Sequence, residues 1–293
     1  MRRAMMLVAL CLPALAAGQR ADLSGVGSWC CWLQAPSIDV LAASSYDVVV
    51  MDYSYDGSAA GEFSYDDIAE LRAAGKTVLA YFSIGEAEDY RFYWKSSWRP
   101  GKPSYIADEN PDWPGNYAVQ YWTSGWWTNA LEPYLDRILA AGFDGVYLDK
   151  VDAYWWWYDV KGVNYRTSAN RMVALVEKIA AYARERAGEG FIVCPQNGES
   201  ILDDASATYS ARYLAAIDAV GAESVYYNFW SAEDQAYRLA KLAQFDSAGK
   251  KILVIEYIDT DSWTEFFGLI DSSGLDMIGY PAAPDRMLDE LVE

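Results

Sequence analysis

Histidine is missing from the whole chain of 293 residues. That absence excludes Ser-His-Asp and Cys-His nucleophilic catalysis, His-ligated zinc and imidazole proton shuttles. Acid–base chemistry is left to Asp, Glu, Tyr, Lys and Cys. Cysteine is scarce too, at 4 residues, and no C-x-x-C pair occurs. A thiolate zinc site or dithiol redox motif is therefore not expected. Cys11 lies in the N-terminal apolar run, which leaves Cys30, Cys31 and Cys194. Neighbouring Cys30 and Cys31 would point to opposite faces of a strand, so buried free thiols are expected. A disulfide through Cys194 stays open in an oxidising compartment.

Positive charge is short. Lys plus Arg number 23 against 42 Asp plus Glu, a net charge of −19. Such a chain lacks the cations that nucleic-acid binding needs. The charge favours solubility and suits a cationic partner. Neither G-x-G-x-x-G after a first strand nor a Walker A sequence is present, which weakens any nucleotide-binding reading. No EF-hand pattern supports a calcium site at Asp149 and Asp152. No cofactor is expected, and EDTA should leave activity intact.

Aromatic residues are abundant, and 13 Trp and 23 Tyr outnumber 9 Phe. Most of these rings carry a polar handle, which suits either a large core or a wet surface such as a sugar cleft. Residues 1–17, MRRAMMLVALCLPALAA, join a basic start, a short apolar run and an A-x-A site. They read as a cleaved secretory signal. The expectation is a secreted protein, extracellular or periplasmic, with no membrane span. Residues 18–293 would form one domain and a monomer.

Eight apolar runs read as strands: Ser28–Leu33, Asp47–Tyr53, Thr77–Ile84, Gly145–Asp149, Phe191–Pro195, Ala219–Tyr227, Lys251–Tyr257 and Met277–Tyr280. Near-continuous apolar strands are buried on both faces, as in parallel sheets. Helical patterns alternate with them at Asp66–Ala74, Leu131–Ala141, Asn170–Arg186, Ala232–Phe245 and Trp263–Ile270. The predicted fold class is α/β, a (β/α)₈ TIM barrel, with an open doubly wound sheet as the alternative. One connection is long and rich in aromatic residues. Glu86–Trp127 follows the third strand and is expected as a loop walling a cleft.

Barrel active sites lie at the C-terminal ends of the strands. Those ends carry Asp52 and Tyr53, Tyr81 with Glu86, Asp149 with Asp152, Gln196 and Asn197 with Glu199, Glu223, Glu256 with Asp259, and Tyr280. Carboxylates in an apolar barrel cost heavily unless paired or used. Two of them, without histidine, are the machinery of glycoside hydrolysis. Asp149 and Glu223 form the preferred pair, because the fourth and sixth strands share parity and alternate strands fill one layer. Small and apolar neighbours around Glu223 suit a general acid, with Asp149 as nucleophile. Glu199 is the rival acid. Asp152 is placed to orient substrate or to pair with Lys150. The remaining strand-end residues are candidates for substrate contact.

The runs YFSIGEAEDYR at 81–91, GFDGVYLDKVDAY at 142–154, PQNGE at 195–199, AESVYYN at 222–228 and IEYID at 255–259 together resemble the endo-α-1,4-polygalactosaminidase family of glycoside hydrolases. The resemblance runs from Trp29 to Tyr280. It implies a (β/α)₈ barrel that cleaves α-1,4-linked galactosamine polymers with retention, and places the catalytic Asp at Asp149 and the catalytic Glu at Glu223. A cationic amino-sugar polymer would be drawn to the acidic rim. Rings in Glu86–Trp127 and at Trp155, Trp156 and Trp157 would stack on sugars or pack the connection onto the barrel. Two other functions stay open. One is a non-catalytic carbohydrate-binding barrel associated with exopolysaccharide. The other is a lyase or deacetylase, with Tyr81 or Tyr280 as a lyase base.

Overall fold

A computed structural model describes residues 20–293, so the expected signal segment 1–17 lies outside the described residues. The chain opens with three strands, β1 (Trp29–Trp32), β2 (Val48–Met51) and β3 (Thr77–Ser83). Three short strands follow, β4 (Glu86–Glu88), β5 (Ile106–Glu109) and β6 (Asn116–Val119). The remainder are β7 (Gly145–Asp149), β8 (Ile192–Pro195), β9 (Ala219–Glu223), β10 (Lys251–Tyr257) and β11 (Met277–Ala282).

Each of the eight strands expected from sequence is present. One parallel sheet has the order β1-β2-β3-β7-β8 and another the order β11-β10-β9. Their residues are buried almost throughout, as continuous apolar runs such as VVVM and KILVIEY require. Helices alternate with the strands and stop at sensible places. Glu132–Ala141 ends at Gly142, whose φ of 83° suits a left-handed cap that side chains resist. Tyr65–Ala73 begins in a capping box between Ser64 and Asp67.

The ring is less regular than expected. Between β8 and β9, Asn197 N donates to Gly221 O at 2.8 Å and Asp218 N to Val193 O at 2.9 Å. Among the described residues no ladder returns from β11 to β1. Side chains and the C-terminal segment occupy that seam instead. Trp29 Nε1 donates to Ile278 O at 3.2 Å, and the amides of Leu33 and Gln34 both donate to Leu288 O. Val292 N then donates to the Tyr280 hydroxyl at 3.2 Å.

Two further expectations need correction. The sixth strand stops at Glu223 rather than Tyr227, because Ser224 turns into the left-handed region at φ 54°. The aromatic connection is not a loop wall. It folds into an antiparallel sheet of order β4-β6-β5, and most of its rings pack inward, with Tyr90 and Trp113 left exposed. Trp126 is wholly buried with its indole N–H on Ile84 O, and Trp94 stacks on Tyr117 at 4.8 Å. Trp157 is also buried, with its Nε1 on Val119 O. No helix of the described residues is long and apolar enough to cross a membrane.

Candidate active site

Side chains alternate across a strand, so Tyr147 and Asp149 of β7 share one face, as do Gly221 and Glu223 of β9. Gly221 has room for no side chain, because a Cβ there would collide with the Tyr147 hydroxyl. Tyr147 and Gly221 therefore meet inside the fold. One step further along each strand, Asp149 and Glu223 are brought to the same interior, at the C-terminal ends. Cys31 lies close to both. Burial first, then the charges of Cys30, Glu223 and Asp149, push its thiol well above the usual range. All three described cysteines are buried free thiols, including Cys194.

Both oxygens of each carboxylate are held. Asp149 Oδ2 accepts from the Tyr81 hydroxyl at 2.6 Å, and Oδ1 from Lys150 N at 2.7 Å. Burial raises the Asp149 carboxyl above its ordinary value, against the pull of Lys150 and the Tyr81 hydrogen bond. Glu223 Oε2 accepts from Asn197 Nδ2 at 2.7 Å, and Oε1 from the Tyr257 hydroxyl. Asn197 Oδ1 returns the contact by accepting from Glu223 N at 3.0 Å. These polar partners replace the apolar surroundings that the flanking sequence suggests for Glu223.

The backbone is bent to achieve this. Lys150, Asn197 and Ser224 all have positive φ, at 62°, 58° and 54°. Such conformations are uncommon for side-chain-bearing residues and gather at functional sites. Here they fall just after β7, β8 and β9. Gly85 lets the chain after β3 press against Lys150, since a Cβ there would strike Lys150 O.

The other candidates divide by position. Asp152 is half-buried near Lys150, and burial together with the charges of Glu223 and Glu199 keeps its carboxyl raised, while Lys150 opposes them. Glu86 is buried and accepts from Asn110 Nδ2 at 3.0 Å, with Lys150 Nζ at 3.2 Å. Burial raises its carboxyl, and Lys150 draws it back. Gln196 is buried at the β8 end, its backbone N–H donating to Leu148 O at 2.8 Å. Tyr81, Glu86, Asn197 and Asp152 thus lie around Asp149 and Glu223.

Six candidates lie outside this group. Asp52 is gripped by Arg91 at both oxygens, at 2.8 and 2.7 Å. The same Arg91 reaches Glu88 at 2.7 Å through Nε. Tyr53 is buried against Tyr134, with ring centroids 4.7 Å apart. Glu199 is buried and paired with Arg238, whose Nε lies 2.7 Å away. Glu256 is 0% exposed, and its Oε1 accepts from Tyr226 N at 2.7 Å. Tyr280 points its hydroxyl at the C-terminal segment, and Asp259 is exposed at the β10 end. The structure adds partners that the sequence reading passed over: Tyr257 on Glu223, and the clamps Arg91 and Arg238. IEYID contains Tyr257, and strand alternation from Glu256 was the one signal able to find it.

The sequence matches the profile of glycoside-hydrolase family GH114 over residues 13–278. It is 37% identical over 274 residues to an uncharacterised protein of Methanocaldococcus jannaschii, covering 90% of this chain and 77% of that one. An uncharacterised protein of Thermotoga maritima is 35% identical over 273 residues, with 90% and 83% covered. Two solved structures share the fold. Aspergillus fumigatus Ega3, in complex with galactosamine, aligns with TM-score 0.64 and 19% identity, over 91% of this chain and 96% of that one. The glycoside hydrolase domain of PelA from Pseudomonas aeruginosa aligns with TM-score 0.66 and 17% identity, over 91% and 98%. A profile match reaching from ahead of β1 into β11, with relatives at this level of identity, makes the chain a member of glycoside-hydrolase family GH114.

Proposed function

We propose that this protein hydrolyses α-1,4-linked galactosamine-containing polysaccharide, with Asp149 as nucleophile and Glu223 as general acid. The observation that carries the reading is the close approach of Tyr147 to Gly221, since Asp149 and Glu223 follow on the same faces of the two strands that flank β8. Family membership and the complex of Ega3 with galactosamine support the chemistry and the sugar class. The net charge of −19 supports a cationic substrate.

In this scheme Glu223 gives its proton to the glycosidic oxygen as Asp149 attacks the anomeric carbon. The bond to the leaving sugar breaks, and a glycosyl-enzyme forms on Asp149. Glu223, now ionised, takes a proton from water, whose oxygen displaces Asp149 with net retention. The Tyr81 and Lys150 donors fix the attacking carboxylate, which is a gain in orientation. Tyr257 and Asn197 aim Glu223. Residues 1–17 support export, so the substrate would be met outside the cytoplasm.

Kinetics on a deacetylated galactosamine polymer test the assignment. Glu223→Gln should slow turnover by about 10²- to 10⁴-fold. Asp149→Asn should slow it at least as much. Glu199→Gln loses one partner of Arg238 and should cost far less than Glu223→Gln. Near-normal rates in both Asp149→Asn and Glu223→Gln would overturn the proposal.

A further inference from the structure

Most of the rings that the sequence offers for sugar stacking pack against the fold, with Trp113 half in solvent at 53% exposure, and a further indole stands almost wholly in solvent. Trp230 is 96% exposed, whereas Trp29 and Trp126 are wholly buried. It lies between Glu223 and the helix Ala232–Ser247, in the connection that leaves the C-terminal end of β9. In this fold such connections border the active site.

Folding does not account for the exposure. Ser231 caps the helix, its hydroxyl accepting from Asp234 N at 3.2 Å. An apolar residue just ahead of a cap usually packs on the fourth helical residue. That residue is Gln235, and its amide is turned inward to Val225 O at 3.1 Å. No staple covers the indole, so the stability a buried Trp normally brings is forgone.

The base of the connection is firmly tied. Arg238 donates to the carbonyls of Glu223 and Ser224, both at 2.8 Å, and Tyr226 N donates to Glu256. The ring is therefore presented on an anchored segment continuous with the catalytic strand. Exposed Glu233 and half-buried Asp234 follow it in the first helical turn. An aromatic face beside carboxylates fits a ligand with an apolar face and a positive charge.

We propose that Trp230 is the platform of a distal sugar subsite. It would stack on a hexosamine unit of the chain being cleaved, whose ammonium group faces Glu233 and Asp234. The inference rests on the amino-sugar reading above. It adds that the polymer is gripped away from the scissile bond, so that longer chains bind better.

The test measures binding by calorimetry in the Asp149→Asn background, where substrate persists. The ligands are α-1,4-linked galactosamine oligomers from the disaccharide upward. Affinity should rise with length. Adding Trp230→Ala should weaken the longest oligomers by about fivefold and flatten that rise. Trp230→Phe should retain most of it. Since the indole is 96% exposed, the unfolding midpoint should not move, which separates lost contact from lost fold. Equal affinity for long oligomers with and without Trp230 would overturn the subsite while leaving the hydrolase reading intact. Failure of the Asp149→Asn protein to bind any oligomer would overturn both.

Discussion

Asp149 is held by the Tyr81 hydroxyl on one oxygen and the Lys150 amide on the other. The Tyr81 bond favours the ionised form, and burial opposes it. Removing the hydroxyl in Tyr81→Phe should raise the carboxyl further. A nucleophile must be ionised, so the acidic limb of the kcat/KM profile should move up by about one pH unit. A pH–rate series checks this, and an unmoved limb would argue against Asp149 as nucleophile. Glu256 gives a second residue-scale prediction. Burial pushes its carboxyl up to about 7, although backbone N–H groups of Tyr226, Val225 and Tyr227 pull it down, as does Arg238. A raised pKa means that its contribution to stability is full below the unfolded value of about 4.5 and is lost as pH rises through about 7. Glu256→Gln should remove that loss, on the order of 2–3 kcal/mol. Denaturant titrations at pH 5 and pH 8 would read it, and parallel pH dependence in both proteins would contradict it. Which strand ends carry polar groups was legible in the sequence, since each apolar run ends in one. Which of them face inward was not fully legible. Glu256 and Tyr257 are adjacent, yet alternation sends Tyr257 to Glu223 and Glu256 under the backbone of 225–227.

The segment between β3 and β7 behaves as an element in its own right. Its aromatic density suggested a sugar-facing wall, but the small sheet β4-β6-β5 uses those rings to pack. Periodicity signals short antiparallel strands poorly in such a mixture of rings, prolines and charges. Arg91 locks this element to the parallel sheet. It joins Asp52 after β2 to Glu88 of β4, and its guanidinium lies 5.5 Å from the Tyr53 ring centroid. Sequence reasoning listed Asp52 for substrate contact because its long-range partner was invisible. Breaking a buried ion pair by removing one member strands the other charge. Arg91→Met should therefore cost about 3–5 kcal/mol in a urea titration. A change within about 0.5 kcal/mol, as for an ordinary surface site, would contradict a structural role for the clamp.

At the scale of the molecule, the α/β class and the order of eight strands followed from apolar runs alternating with helices. The manner of closure did not. Trp29 and the segment through Leu288 and Val292 fill the β11–β1 seam by contacts far apart in sequence, and local patterning does not encode these. The site sits at the opposite junction, where β7, β8 and β9 deliver Asp149, Asn197 and Glu223 in turn. The absence of histidine and the acidity of the whole chain fit a carboxylate enzyme that meets a cationic chain. Mass spectrometry of products tests this account most directly. The protein and its Asp149→Asn variant would each be incubated with partly deacetylated galactosaminogalactan. The account predicts short galactosamine-containing oligomers with the unaltered protein and intact polymer with the variant. Intact polymer in both, or equal release from both, would contradict it.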